Sequence, residues 1–290
     1  MLLPGVFENM TAQISFTKSD LDFNGVLNFT GGFTSIMYGP DGRLYAANYP
    51  PGTIHILTID RNGPSDYAVT QVESLSGVTD IVKHDDDGSV NSGQNQREVT
   101  GLTVTGTSAN PILYVTSSDF RIGAGTGGGS GDLGLDTNSG IITRFTWNGS
   151  SWDIVDIVRG LPRSEENHAT NGLEMATING TDYLIVSSGG NTNGGAPSTN
   201  FVFTCEYALS GAVLSVNLDM LNGMGVQTDG NGRQYIYDIP TLDDPTRANA
   251  NGITDPDTAG YTGIDVNDPW GGNDGLNQAM IVPGGPVQIF

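Results

Sequence analysis

The feature that most constrains this chain is a pattern that occurs three times: an extended run, a tight turn, a second extended run built around a tyrosine, and a further extended run. In the first copy Phe33-Thr-Ser-Ile-Met-Tyr38 leads through Gly39-Pro-Asp-Gly42 to Leu44-Tyr-Ala-Ala-Asn48 and on to Gly52-Thr-Ile-His-Ile-Leu-Thr-Ile-Asp60. In the second, Val99-Thr-Gly-Leu-Thr-Val104 turns at Ser108-Ala-Asn-Pro111 into Ile112-Leu-Tyr-Val-Thr116, followed by Gly140-Ile-Ile-Thr-Arg-Phe-Thr-Trp147 and Trp152-Asp-Ile-Val155. The third runs from Gly172-Leu-Glu-Met-Ala-Thr177 through Asn179-Gly180 to Tyr183-Leu-Ile-Val-Ser187 and Gly211-Ala-Val-Leu-Ser-Val-Asn-Leu218. Strand, tight turn, strand, short loop, strand is one blade of a β-propeller, so the expected fold is all-β. Tyr45, Tyr114 and Tyr183 hold the same place in each copy. Their interval of about 70 residues exceeds the roughly 40 to 50 of a bare blade, so large loops must project from the units.

Composition agrees with this fold and narrows the function. The chain has 42 Gly and 14 Pro, and no long run places apolar residues at helical spacing. Its 32 acidic and 11 basic residues give a net charge of −21. Such a surface repels nucleic acid and anionic membranes, and its carboxylates call for solvent or cations. No stretch is long enough to span a membrane. The first ten residues lack a basic segment followed by an apolar one, so no signal peptide is expected. An Asn/Gly/Thr-rich acidic composition is nevertheless typical of extracellular or periplasmic work. Cys205 is the one cysteine; it cannot form an intramolecular disulfide and reads as a small structural residue.

The repeats organise residues 1–290 as a single propeller domain. Ile14 to Phe29 reads as a pair of short strands about an Asn24-Gly25 hairpin turn, and 238–283 as a long loop insertion. Pro286-Val-Gln-Ile-Phe290 reads as the start of another strand, so the chain is expected to be the N-terminal part of a longer propeller. The glycine run from Gly123 is no phosphate cradle, because no Gly-Lys-Ser/Thr follows it. Hard oxygen ligands for calcium cluster at Asp265, Asn267, Asp268, Asn273 and Asp274, where glycines permit a tight wrap. Asp85-Asp86-Asp87-Gly88 with Asn91 is the alternative, and a solvated acidic loop is the competing reading of both. Trp147 and Trp152 sit in strand-like runs and read as packing residues, whereas Trp270, between Pro269 and Gly271, is placed to stack on a sugar ring. His55 alternates with Ile54 and Ile56 and reads as a surface-facing strand residue.

Most of the polar chemistry lies in one loop, Gly160-Leu-Pro-Arg-Ser-Glu-Glu-Asn-His-Ala-Thr-Asn-Gly172. A histidine beside amides and carboxylates at a strand entrance can serve as a general base. A hydrogen-bonded turn that ties down a long connection is the plainer alternative.

The blocks Arg97-Glu-Val-Thr-Gly-Leu102, Tyr114-Val-Thr-Ser-Ser-Asp119, Leu135-Asp-Thr-Asn-Ser-Gly140, Arg159 to Gly172, Gly189-Gly-Asn-Thr-Asn193 and Thr241-Leu-Asp-Asp-Pro-Thr-Arg247 carry a resemblance. Together they resemble the propeller domain of bacterial glucose/sorbosone dehydrogenase-like proteins, in the subgroup found in large multidomain surface or secreted proteins. The resemblance runs from about Phe33 onward and is most specific around His168. It implies a six-bladed propeller, incomplete in this chain, that holds pyrroloquinoline quinone (PQQ) and calcium on its top face. It also implies that a histidine at a blade entrance takes the substrate hydroxyl proton as hydride moves to the quinone. His168 matches that base. Arg163, Arg97 and Arg121, with Asn171, become candidates to hold the cofactor, and structural pairing of these arginines with carboxylates is the alternative. Where active members of the family place a Gln and an orienting Asp, this chain has Arg97 and Gly189-Gly190-Asn191. The expected partner is a small sugar or alcohol, or a glycan, together with other domains of a longer polypeptide. The competing function is a calcium-stabilised, non-catalytic propeller that binds carbohydrate or protein.

Overall fold

The computed structural model describes residues 18–85, 89–122, 135–191, 206–240 and 279–290. The described residues are all-β apart from one short helix. The first copy of the pattern forms β2 (Gly32–Tyr38), β3 (Leu44–Tyr49), β4 (Thr53–Gly63) and β5 (Asp66–Leu75), an antiparallel meander. The second forms β6 (Arg97–Gly106), β7 (Pro111–Asp119), β8 (Gly140–Trp147) and β9 (Trp152–Leu161) in the same order. The third forms β10 (Thr170–Ile178), β11 (Thr181–Ser188) and β12 (Ala212–Asn217), and α1 (Leu218–Gly223) follows. Asn179 and Gly180 join β10 to β11 with φ of 52° and 83°, the left-handed pair that a two-residue hairpin turn requires.

The first and last strands both pair at sheet edges, the first of them not as the sequence led one to expect. Asn24 and Gly25 do turn the chain, with positive φ and a bond from Val26 N to Phe23 O of 2.8 Å. No hairpin results: β1 (Leu21–Asp22) runs parallel to the outer edge of β5, with Leu21 opposite Tyr67. At the other end the expected strand is present: β15 (Val287–Ile289) pairs antiparallel with β12 as the fourth strand of the third blade. β13 (Gln227–Thr228) and β14 (Gln234–Asp238) extend the second blade, β14 lying parallel to β9. Asp238, the expected start of a loop insertion, therefore ends a strand; residues 241–278 lie outside the described residues, and with them Asp265, Asn267, Asp268, Trp270, Asn273 and Asp274. Cys205 and the glycine run also lie outside them. No helix among the described residues is long and apolar enough to cross a membrane.

The repeated tyrosine is the blade-to-blade packing residue. Tyr45 is fully buried among Val99, Leu102, Leu113, Val115 and Phe145, in the core between the first two blades. Tyr114 belongs to the core between the second and third blades, with Ile142, Ile157, Leu184, Val186 and Leu214. Tyr183, the third copy, is only half-buried, and its blade also exposes Ile178 and Val213. Trp152 packs edge-on to Tyr45 and against Trp147, as expected of packing residues. His55 is 6% exposed, not surface-facing: its ring meets Phe33 edge-on, and Phe29 stacks against Phe33 in turn.

Each inner strand is bulged at the same place. The register slips between Phe33 and Ser35 in β2, between Val99 and Gly101 in β6, and between Thr170 and Leu173 in β10. A bulge leaves one residue unpaired and turns its side chain aside. Here it turns a threonine toward the next blade: Thr34 Oγ1 donates to Val99 O at 2.6 Å, and Thr100 Oγ1 donates to Thr170 O. The blades meet so closely there that a Cβ on Gly101 would lie 2.6 Å from Asn171 O and 2.9 Å from Gly172 Cα. Gly101→Ala should therefore lower stability by about 1–3 kcal/mol in urea unfolding, since backbone on both sides would have to move. Gly223→Ala, where an added Cβ meets nothing, should leave the transition unchanged within about 0.5 kcal/mol.

Candidate functional site

The loop between β9 and β10 is wound around Arg163. Its side chain is 0% exposed, and its guanidinium works almost wholly on backbone carbonyls. Nε donates to Asp119 O at 3.0 Å, Nη2 to Arg121 O at 2.8 Å, and Nη1 to Ser164 O and to Glu166 O at 3.1 Å. A guanidinium offers five N–H donors in a fixed fork, so it can organise a loop that has no regular ladder of its own. The charge is balanced by Glu98 at 3.4 Å. Burial nevertheless raises the Glu98 pKa, and Arg163 only partly opposes that rise. The backbone of the loop closes on itself through Ser164 N to His168 O at 2.9 Å and His168 N to Ser164 Oγ at 2.9 Å.

His168 emerges from this frame about one-third exposed. Its Nδ1 lies 2.8 Å from Gly190 O. A carbonyl can only accept, so this contact places the proton on Nδ1 and leaves the lone pair on Nε2. Nε2 stands 4.0 Å from Glu166 Oε2, a distance that becomes an ion pair when the ring is protonated. The two glycines after β11 make the contact possible. A Cβ on Gly189 would lie 2.8 Å from His168 Cβ, and one on Gly190 would lie 2.7 Å from Glu206 Oε1. The Glu206 carboxylate fixes the turn from below, accepting from Asn191 N at 2.8 Å and Ser210 Oγ at 2.6 Å. At the Gly189-Gly190-Asn191 segment, which lacks an orienting Asp as the sequence showed, the orientation comes from a backbone carbonyl.

The structure brings some of the sequence-selected residues together and separates others. Arg121 lies beside the loop, with its guanidinium on Asp119 at 2.8 Å and Asp85 at 2.6 Å. That Asp85 carboxylate also accepts from Asn91 Nδ2 at 3.0 Å; Asp86, Asp87 and Gly88 lie outside the described residues. Arg97 sits at the start of β6, 1% exposed, donating to Ser117 Oγ, Ser117 O and Ser139 O. Asn171 occupies the bulge of β10, exposed, with Nδ2 donating to Ala169 O at 3.1 Å. No group of three or more His, Cys, Asp or Glu among the described residues is arranged to hold a metal ion. Glu98, Glu206 and Asp119 shape the loop but were not selected from the sequence. Only the Gly189-Gly190 pair, which needs a close neighbour to explain it, signalled that frame.

The turn 136–139 separates the His168 loop from Arg97: Arg163 N donates to Thr137 O at 2.8 Å, and Ser139 O faces Arg97. At its head Asp136 accepts from Asn138 N at 2.8 Å, and burial pushes its pKa up to about 6.

No protein-family model matches the sequence, and no curated protein matches it. Among solved structures the chain is similar to a calcium structure of a Trichoderma reesei carbohydrate-active enzyme of family AA12. The likeness is 18% identity over 57% of this chain and 32% of that one, with a TM-score of 0.33. An iodide structure of a Trichoderma reesei family AA12 enzyme gives 16% identity over 65% of this chain and 46% of that one, also at 0.33. The chain thus spans less than half the length of either.

Two outcomes follow from the site's geometry. Arg163→Met should cost about 3–5 kcal/mol in chemical unfolding, because it orphans several carbonyls and leaves Glu98 buried without its cation. For Asp136 the folded pKa lies above the unfolded one, so the native state binds the extra proton and stability falls as pH rises from about 4 through about 6. Asp136→Asn keeps an acceptor for Asn138 N, and its unfolding midpoint should exceed that of the unmodified protein at pH 7.5 but not at pH 4.

Proposed function

We propose that His168 is the general base for a sugar or alcohol hydroxyl, in a propeller of the quinone-dependent glucose/sorbosone dehydrogenase type. The observation that supports this is the 2.8 Å contact of His168 Nδ1 with the Gly190 carbonyl. It commits one ring nitrogen and assigns proton acceptance to the other. Proton removal converts the imidazole to a cation, and Glu166 Oε2 is near enough to stabilise that cation by Coulomb attraction. On this reading three blades are half of a six-bladed ring. Further blades would pack on the open face of the third, where Tyr183, Ile178 and Val213 repeat the surface that Tyr45 and Tyr114 present to their neighbours.

The arginines do not, as they stand, fit the carboxylates of PQQ. Arg163 is enclosed with its donors on protein oxygens, Arg97 faces a separate cavity that His168 does not border, and Arg121 is shared by Asp119 and Asp85. In this reading they build the frame of the base, and no step of the chemistry runs through them. The cations that hold the quinone belong to the further blades, and calcium belongs to the Asp265–Asp274 segment. The same commitment of the arginines favours a second reading, a calcium-stabilised propeller that binds carbohydrate or protein without turnover.

An absorbance titration with PQQ, with and without calcium, followed by dye-linked oxidation assays on sugars and alcohols, separates the two. The first reading expects a calcium-dependent spectral change and substrate oxidation. His168→Ala should lower kcat by about 10²- to 10⁴-fold while quinone affinity stays within a few-fold. Absence of quinone binding, together with saturable binding of a glycan, would establish the second.

A further inference from the structure

A cavity of about 270 Å³ lies on the second blade, between residues 81–84, the 136–141 turn, the end of β9 and the β13–β14 hairpin. Neither His168 nor Arg163 borders it. In a chain with only 11 basic residues, four of them line this one space: Lys83, Arg97, Arg159 and Arg233. They divide into two kinds. Arg159 and Arg233 converge on the fully buried Asp156 at 2.9 and 2.6 Å, and Arg159 also holds Asp229 at 3.0 Å. Lys83 and Arg97 have neutral partners instead. Lys83 Nζ donates to Thr79 O, and Arg97 donates to Ser117 and to Ser139 O. Neither has a carboxylate within ion-pair distance among the described residues.

Two buried cations facing one space, with carboxylates nearby but none in an ion pair with either among the described residues, carry a free-energy cost that a bound anion would lower. Burial pushes Lys83 down to about 8 and Arg97 down to about 10, and the positive charge of Arg97 adds to the effect on Lys83. The nearby carboxylates do not cancel these shifts. A second orphan borders the same space. Asn138 is 7% exposed, and both its amide oxygen and its amide nitrogen lack a partner. The wall is not uniformly basic: Asp119 and Asp229, held by Arg121 and Arg159, line it together with Asp136 and Asp238. Such oxygens repel a simple anion but accept hydrogen bonds from hydroxyl groups. The space has room for a molecule of roughly ten heavy atoms.

We propose that this cavity binds a small hydroxy-carboxylate, whose carboxylate balances Lys83 and Arg97 and bonds the Asn138 amide, and whose hydroxyls donate to Asp136 and Asp238. The site is distinct from the His168 loop, and the inference does not rest on the reading of that loop as a base. Isothermal titration of the full chain with glycerate and with tartrate tests it, with propionate and inorganic phosphate as comparators. The expected result is saturable one-to-one binding of a hydroxy-carboxylate. Propionate, which lacks the hydroxyls, and phosphate should bind about tenfold more weakly or worse. Lys83→Met and Asn138→Asp, checked for a native unfolding transition, should each weaken binding by about tenfold or more, whereas His168→Ala should leave it unchanged. Absence of saturable binding to the unmodified protein overturns the proposal, as does an affinity that survives both cavity variants. Equal affinity for phosphate overturns the ligand class, and loss of binding in His168→Ala moves the site to the loop.

Discussion

Everything in this molecule hangs on how one blade grips the next. The grip has an apolar part, Tyr45 and Tyr114 from the second strands of the first two blades set into the core shared with the next, and a polar part, Thr34 and Thr100 at the bulges, which reach the next blade's backbone. The two differ in energy. A buried aromatic with its aliphatic neighbours is worth several kcal/mol, and a hydroxyl-to-carbonyl bond about one. The polar contact matters for placement. Apolar packing alone tolerates sliding, whereas a hydroxyl bonded to one chosen carbonyl fixes the height at which the inner strands begin. The starts of the inner strands are where the His168 loop and Arg97 are presented, so their alignment follows from that bond.

An acidic chain that buries arginines must compensate them one by one, and it does so with different oxygens in different places. Arg163 is satisfied by the backbone carbonyls of the loop it organises, with Glu98 as its counter-charge. Arg159 and Arg233 share Asp156, which in turn accepts from Thr143 Oγ1 at 2.9 Å in the body of the blade. These are architectural solutions, closed on themselves. Arg97 and Lys83 have hydrogen bonds but no ion pair among the described residues, which sets them apart from Arg121, Arg159, Arg163 and Arg233. The −21 net charge hides that contrast, because a sum over the chain says nothing of where the few positive charges are gathered.

The sequence carried the strands and the histidine loop but not the partners of either. Alternating apolar runs and Asn-Gly or Gly-Pro-Asp-Gly turns are local signals, and the strands they imply are present. The even spacing of Tyr45, Tyr114 and Tyr183 was legible as a repeat, yet its meaning as the inter-blade contact depends on which neighbour stands across from each ring. Pairing of distant segments was the weakest inference. β1 joins β5, β14 joins β9 and β15 joins β12, and no local pattern marks these edges. His55 failed for a related reason. Alternation placed it opposite the core side correctly, but the aromatic chain Phe33, Phe29 and Phe23 covers that other face. Glu98 and Glu206 were unreadable because a single carboxylate in an acidic chain stands out only once its burial is known.

That a backbone carbonyl, Gly190 O, and no carboxylate meets His168 Nδ1 bears on what the ring can do. Holding an imidazole and stabilising its charged form are separable tasks. The carbonyl does the first fully: at 2.8 Å it fixes the tautomer and the plane of the ring. For the second it offers only a dipole, worth less than a full negative charge at the same distance. The missing charge sits on the other side of the ring, where Glu166 Oε2 lies 4.0 Å from Nε2. A carboxylate in that position stabilises the cation, yet on the proposed reading it also stands close to where a substrate hydroxyl would approach. Glu166 would then have to turn aside as the substrate enters or accept one of its other hydroxyls. Of these the second is the simpler, because Asn167 N already holds Glu166 Oε2 at 3.0 Å and resists its displacement. On the proposed reading of His168 as a base, a polyol would satisfy both the base and its neighbouring carboxylate, where a simple alcohol would satisfy only the base, and the loop would then favour the more hydroxylated substrate.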